Sequence, residues 1–351
     1  MKLSVPIRKA VERMRPYHPP LEGRSGKLRL DFNENTRGCS PRVLRALARI
    51  GTEAISIYPE QGAVRRNLAA MFRVSADQLL LTNGTDEALH LITNTFVENH
   101  DTVLLVEPTF AMYRFYSELA GARIKALRYD EEMGFPMAKV LQELKRRPKL
   151  FFLANPNNPT GGIVLPTQLR KLLAAATNTM LVVDEAYFEY SGITVLTWVR
   201  RHRNLIVTRT FSKAAGLAGL RIGCIFAHRE VANVMRKAQS PYPVNAAALV
   251  AAQAATSDRA FLAKTIREFN ASKTELERGL ANLGFRPFSS AANFFLFDAG
   301  KNAKKIVARL AQHGILIRDR SSDFGGRGFL RITVGTVSQT RRVLKELKAA
   351  L

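Results

Sequence analysis

Residues 209–223 read RTFSKAAGLAGLRIG. The stretch overlaps the apolar run LIVTRT (205–210), which predicts a buried strand and places Lys213 just past that strand's end. Hydroxyl residues Thr210 and Ser212 precede the lysine, Ala, Gly and Leu follow it, and Arg221 comes eight residues later. A solvated surface lysine needs no such company. A buried ammonium costs several kcal/mol unless it is paired or neutralised.

Working outward, the same strand form recurs as QLLLT (78–82), TVLLVE (102–107), KLFFLA (149–154) and MLVVDE (180–185). Helical patterns separate these runs, such as DEALHLITNTFV (86–97) and LPTQLRKLLAAAT (165–177). The alternation predicts an α/β fold, with parallel strands and crossover helices on both faces of a mostly parallel sheet. Ligands of such sheets gather at the carboxyl ends of the strands. From about residue 245 the pattern changes to a long Ala-rich helical stretch, broken near Ser257. FFLFD (294–298), a helix over 302–313, GILIR (314–318), FLRITV (329–334) and a final helix follow, and predict a smaller α+β domain. The expected division is an N-terminal arm and part of the small domain over 1–50, a large domain over 51–275 and a small C-terminal domain over 276–351.

The 46% hydrophobic content of the 351 residues is that of a globular chain rather than a disordered one. Cys39 and Cys224 form no disulfide framework, and a reducing compartment is the simplest fit. The start, MKLSVPIRKAVERM, lacks the apolar run of a secretory signal, and no stretch approaches the roughly 18–20 apolar residues of a membrane span. A cytoplasmic protein without a membrane partner is expected. The 53 Lys+Arg against 29 Asp+Glu give a net charge of +24, which raises the question of nucleic acid. The basic residues are dispersed, with only KRRPK (145–149) and VRRHR (199–203) as short clusters, and no zinc-finger, RNP or basic-zipper pattern accompanies them. The expectation is a solvated basic surface that attracts anionic substrates, not a nucleic-acid interface.

Three further motifs follow strand ends. NPNNPTGG (155–162) comes after KLFFLA, VDEAY (183–187) puts Asp184 at a strand's carboxyl end, and NGTDEAL (83–89) turns from strand to helix. Each has a plain structural reading alone: a turn, a cap or surface carboxylate, and a helix N-cap at Thr85 or Asp86. YPEQG (58–62) alone reads as a loop. The backbone N–H groups at Gly84, Thr85 and Asp86 would also make an anion site. GxGxxG after a strand, GxxxxGK[ST], HExxH and GxSxG are all missing, so the common dehydrogenases, P-loop enzymes, zincins and serine hydrolases are set aside. Together, a lysine, a strand-end carboxylate, an anion-binding helix start and Arg221 suit a cofactor with an aldehyde, a pyridine nitrogen and a phosphate. As an imine to pyridoxal 5'-phosphate, the lysine gains the reactivity its ordinary protonated state denies it. Thr210, Ser212 and Arg221 suit the phosphate.

In order along the chain, RPYHPP (15–20), LDFNEN (30–35), YPE, NGTDE, EPTFAMY (107–113), NPNNPTG, VDEAY, RTFSKAAGLAGLRIG, PYPVN (241–245), ANFFLF (292–297), GILIRDR (314–320) and FLRITVGT (329–336) resemble the histidinol-phosphate aminotransferase family. These are fold-type-I, pyridoxal-phosphate-dependent enzymes, and the resemblance covers essentially the whole length. It implies that Lys213 is the Schiff-base lysine and proton shuttle, and that Asp184 pairs with the pyridinium nitrogen. It implies that Tyr187 and Asn158 bond the ring 3'-oxygen (with Asn157 as the fallback), and that Phe110 stacks on the ring. Gly84, Thr85, Asp86, Thr210, Ser212 and Arg221 would hold the phosphate end. Tyr58 would reach that phosphate from the partner subunit of a homodimer. Tyr17, Asn158, Arg318 and Arg331 would bind the substrate, a small anionic amino compound exchanged with 2-oxoglutarate and glutamate. No metal is implied. The chain departs from the pattern at TRGCSP (36–41), where a Pro-Tyr-Gly-type turn is common, and at Phe110, where tyrosine or tryptophan is common. The expected reaction is amino transfer between histidinol phosphate and 2-oxoglutarate in histidine biosynthesis. Alternatives are an aromatic amino acid aminotransferase or a threonine-phosphate decarboxylase. A transcriptional regulator with an aminotransferase-like domain would need an appended DNA-binding domain, and the catalytic fold occupies the whole chain.

Overall fold

A computed structural model describes residues 5–16 and 19–351. The apolar runs form a seven-stranded sheet: β1 (Leu79–Thr82), β2 (Thr102–Glu107), β3 (Arg123–Arg128), β4 (Leu150–Ala154), β5 (Met180–Asp184), β6 (Leu205–Thr210) and β7 (Gly223–Ala227). Their spatial order is β1-β7-β6-β5-β4-β2-β3. β3, β2, β4, β5 and β6 pair in parallel, whereas β7 runs antiparallel to β6 and to β1. A parallel return usually needs a crossover helix. Residues 211–222 hold the Lys213 loop and one short 3-10 turn (Ala218–Leu220), so the chain comes back antiparallel.

Both faces of the sheet are covered, which is why its central strands read as unbroken apolar runs. Leu104, Val106, Phe151, Leu153, Val183 and Val207 pack into one layer, and Val103, Leu105, Leu150, Phe152, Val182 and Ile206 into the other. α1 (Gly84–Phe96) and α2 (Ala111–Leu119) bring Ala88, Leu89, Ile92 and Tyr113 to the second layer. α3 (Pro166–Ala175) and α4 (Ala246–Ser257) bring Leu169, Leu172, Ala248 and Leu249 to the first. β3 and β7 were not legible as strands. β3 is RIKALR at the sheet's edge, where charges on the strand discourage further pairing and hide its character.

A second core surrounds a four-stranded antiparallel sheet of β8 (Arg286–Pro287), β9 (Phe294–Asp298), β10 (Arg318–Asp319) and β11 (Phe329–Thr333), in the order β10-β11-β9-β8. α5 (Arg259–Asn282), α6 (Ala303–Gln312) and α7 (Val337–Ala350) cover it with Phe269, Leu276, Ile306, Leu310, Val343 and Leu347. The N-terminal part joins this core through Leu30 and a short parallel pairing of Leu28–Arg29 with Ile315–Leu316. GILIR, expected as one strand, is therefore split. Ile315–Leu316 pairs with the N-terminal segment, and Arg318–Asp319 pairs with β11. Among the described residues no helix is long and apolar enough to cross a membrane.

Candidate active site

The carboxyl ends of β1, β2, β4, β5 and β6 and the face of the small sheet enclose a cleft of about 580 Å³. Thr85, Asp86, Phe110, Asn158, Asp184, Tyr187, Thr210, Ser212, Lys213, Arg221, Arg318 and Arg331 all line it. The motifs meet because strand ends converge, each loop delivering one or two side chains.

Lys213 donates from Nζ to the Phe32 carbonyl at 2.8 Å. Its withdrawal from water pushes its pKa down to about 8, and the positive charge of Arg331 acts in the same direction. Arg209, at the start of the same stretch, does not line the cleft. Its guanidinium bonds Glu185 at 2.8 Å and lies 3.4 Å from the Phe188 ring centroid, tying the end of β6 to that of β5.

Asp184 is buried, and burial raises its pKa. Hydrogen bonds oppose that rise, among them those in which the Tyr113 hydroxyl donates to Oδ2 at 2.7 Å and the Ala186 N–H to Oδ1 at 3.1 Å. The Tyr113 ring stacks on Phe152 at 5.1 Å. Sequence reasoning quoted Tyr113 within EPTFAMY but gave it no role. Its position three residues after Phe110, on the same side of α2, was the available signal; the two rings meet edge to face at 5.7 Å. The Tyr187 hydroxyl accepts from Asn33 Nδ2 at 2.9 Å, a second contact the sequence did not disclose.

At the other end of the cleft, α1 begins at Gly84 with φ of 74°. A Cβ there would stand 2.5 Å from Arg221 Nη2, so only glycine leaves the guanidinium its place. Arg221 itself adopts a left-handed φ of 52° and pairs with Asp86 Oδ2 at 3.0 Å. The Thr85 hydroxyl is buried without a hydrogen-bond partner. A helix start, an arginine and an unused hydroxyl together form a receptor for a tetrahedral anion.

β10 pairs with β11 so that Arg318 and Arg331 are directly opposite. Arg331 is buried, donating to Asn158 Oδ1 and to the Asp31 carbonyl. Arg318 lies 5.7 Å from the Phe32 ring centroid. Arg320, a third arginine in the cleft, went unassigned by sequence; it pairs with Asp323 at 2.5 Å.

Two expected residues, Asn157 and Tyr58, are not brought into this group, and a third lies outside the described residues. Asn157, the fallback for Asn158, spends its amide on the Pro108 carbonyl, Thr160 and Thr109, holding its own loop. Tyr58 is 72% exposed and stacks on Tyr242 at 4.2 Å, away from the cleft lining. Tyr17 lies outside the described residues.

An amine with a lowered pKa, a buried carboxylate across the cleft and an anion receptor can together hold an aromatic aldehyde that carries a ring nitrogen and a phosphate. Known proteins agree with that chemistry. Residues 25–347 match the family model for aminotransferase class I and II. A histidinol-phosphate aminotransferase of Symbiobacterium thermophilum is 38% identical over 359 residues, covering 98% of each chain. The crystal structure of histidinol-phosphate aminotransferase from Sinorhizobium meliloti, in complex with pyridoxal-5'-phosphate, superposes with a TM-score of 0.89 at 26% identity, over 98% of this chain and 97% of that one. L-threonine-O-3-phosphate decarboxylase from Porphyromonas gingivalis superposes with a TM-score of 0.81 at 26% identity, over 92% of this chain and 98% of that one. The chain belongs to the class I and II aminotransferases, within the histidinol-phosphate aminotransferase family.

Proposed function

We infer that the protein is a pyridoxal-phosphate-dependent aminotransferase that moves an amino group between histidinol phosphate and 2-oxoglutarate, a step of histidine biosynthesis. The observation that carries the substrate is the register of β10 on β11. Arg318 and Arg331 are directly opposite, a like-charge placement that is unfavourable alone and favourable around a dianion.

The residues present fit the cofactor. Thr85 has an unused buried hydroxyl, Gly84 leaves room for Arg221, and the amine and the carboxylate face one cleft. When bound, pyridoxal phosphate supplies an electron sink for a carbanion at the amino-bearing carbon. Lys213 is the residue that would hold the cofactor, and its amine would take and return the proton at the substrate Cα. Asp184, steadied by Tyr113, would pair with the ring nitrogen, and a positive charge there would favour the ionised carboxylate against its burial. Tyr187 and Asn158 would bond the ring oxygen, and Phe110 would cover the ring. The N–H groups of Gly84, Thr85 and Asp86, the hydroxyls of Thr210 and Ser212, and Arg221 would hold the phosphate. Arg318, Arg331 and Tyr17 bind the substrate.

We also propose that the working unit is a homodimer in which Tyr58 completes the partner's phosphate site. Exposed Ile55, Ile57, Tyr58 and Tyr242 support this, since large apolar groups gathered on one surface favour association. In the same way we propose a small unit that begins within α5, earlier than residue 276. Phe269 in the second core supports that boundary, and limited proteolysis tests it.

Steady-state assays with histidinol phosphate, phenylalanine and threonine phosphate test the substrate. Preference for histidinol phosphate, with 2-oxoglutarate as acceptor, is expected. Preference for phenylalanine, or carbon dioxide release from threonine phosphate, overturns the assignment. The decarboxylase is the second reading, favoured by the fold shared with the Porphyromonas gingivalis enzyme.

A further inference from the structure

The segment Asp31–Asn35 touches Lys213 and its neighbour Ala214, Arg331, Arg318 and Tyr187. The Asp31 carbonyl accepts from Arg331, and the Phe32 carbonyl accepts from Lys213 at 2.8 Å. Asn33 donates to the Tyr187 hydroxyl at 2.9 Å, and Asn35 donates to the Ala214 carbonyl, next to Lys213, at 2.9 Å. The segment belongs to neither sheet, and its middle is anchored from the small-sheet side, where the Asn33 N–H donates to the Thr333 hydroxyl at 3.1 Å and the Asn33 carbonyl accepts from Asn293 Nδ2 at 3.0 Å. Arg24 holds the carboxylates on either side of that anchor. Its guanidinium bonds Asp31 at 2.9 and 3.1 Å and Glu34 at 2.6 Å, and it lies over the Phe32 ring at 4.1 Å. The clamp is largely closed to water, with side-chain exposures of 13% for Arg24 and 6% for Asp31. The half-exposed Arg29 reaches Glu34 as well, at 3.4 Å.

We propose that Arg24 is a positioning residue: its fork clamps Asp31 and Glu34, and through the segment between them it sets the placement and the charge balance of Lys213 relative to Arg331. An arginine suits the task because one planar fork engages two carboxylates, which a lysine's single point charge does not. The charge balance follows from what faces the amine. Glu34 and Asp86 favour its protonated form, while Arg331 and Arg221 oppose it. Asp184, Tyr187, Arg318 and Arg320 line the same cleft from the large and small sheets. Arg24 is the nearer of the two cations that offset Glu34, the half-exposed Arg29 being the other.

The proposal rests on the aminotransferase reading for its kinetic test and is independent of it for its chemical one. In the loaded enzyme, Arg24→Lys keeps the charge and loses the fork. It should lower kcat/KM for histidinol phosphate by about 10- to 100-fold, the scale of a small misplacement of reacting groups. Both kcat and KM should change, because the segment holds Lys213 and Arg331 alike, and Tm should move little. In the cofactor-free protein, the pH dependence of Lys213 labelling by an amine-reactive acylating reagent, read by peptide mapping, reports the amine directly. Arg24→Met should raise the midpoint and Glu34→Gln should lower it, each by about half a unit or more. A segment merely loosened would move both midpoints the same way. Arg24→Lys kinetics within about twofold of wild type, or midpoints that stay put or move together, overturn the proposal. If Arg24→Met does not fold, Arg24→Lys and Glu34→Gln decide it. A wild type without transaminase activity bears on the aminotransferase reading, and the labelling midpoints bear on the clamp.

Discussion

On the large-sheet side of the cleft, Asp184, Thr210 and Thr85 each stand at or within three residues of a strand's carboxyl end, and Lys213 follows β6 by three. On the opposite side, Arg331 is held by the Asp31 carbonyl, 300 residues away in the chain, and Lys213 reaches across 181 residues to Phe32. The first wall is local: a parallel sheet delivers its loops to one edge whatever their exact contents. The second is assembled from an N-terminal segment and a small antiparallel sheet whose register alone brings Arg318 opposite Arg331. Chemistry common to a cofactor can sit on the first wall, and discrimination among substrates on the second. Changes on the large-sheet wall should therefore abolish the reaction for every substrate, and changes on the other should separate one substrate from another.

The largest effect is expected at the lysine. Lys213→Ala should lower transamination by roughly 10⁴-fold or more, the upper range for loss of a proton-transfer group, and borohydride should no longer fix cofactor to the chain. Fixation to a different lysine in wild type would break the assignment. The lowered pKa sharpens the same point. The neutral amine becomes available as pH rises through about 8, so Lys213 in the cofactor-free protein should label with its midpoint there. An ordinary lysine would reach that midpoint near 10.4.

Asp184→Asn comes next. The variant should bind cofactor but transaminate about 10²- to 10⁴-fold more slowly, for histidinol phosphate and phenylalanine alike, since an amide cannot hold a ring nitrogen protonated. Near-normal single-turnover proton abstraction would remove the role. Arg318→Ala tests the other wall. A loss of roughly 2–5 kcal/mol in kcat/KM is expected for the phosphorylated substrate, the range for truncating one partner of a buried charge pair. Phenylalanine, whose carboxylate can rely on Arg331, should suffer much less. Equal losses for the two substrates would erase the distinction between the walls.

A third contributor to the cleft is tested by mixing Tyr58→Ala with Lys213→Ala. In a heterodimer one site carries both defects and the other neither, so activity should recover when subunits exchange. No recovery after verified exchange would return Tyr58 to its own subunit. The smallest effect belongs to Tyr113→Phe, which removes one hydrogen bond to Asp184 while keeping the ring on Phe152. A loss of about 1–3 kcal/mol is expected in kcat/KM, equal for both substrates because the residue supports the cofactor side. A substrate-dependent loss would mean that Tyr113 reaches into the substrate's part of the cleft.

The sequence by itself determined five strands of the large sheet and its working edge. LIVTRT, TVLLVE and FFLFD are strands over the residues expected, and NGTDEAL, NPNNPTGG, VDEAY and RTFSK lie at strand ends, because apolar periodicity and turn chemistry are local properties of the chain. Only the tertiary structure decided the rest. It splits GILIR so that Arg318, not Leu316, pairs with β11, and it turns β7 against its neighbours. It sends Asn158 rather than Asn157 to the cleft and gives Tyr113 to Asp184. It sets Arg24 on a segment whose backbone carbonyls hold Lys213 and Arg331. A carbonyl has no letter in a sequence, and a register between segments 300 residues apart leaves no local period to read; both exist only once the two cores have packed together.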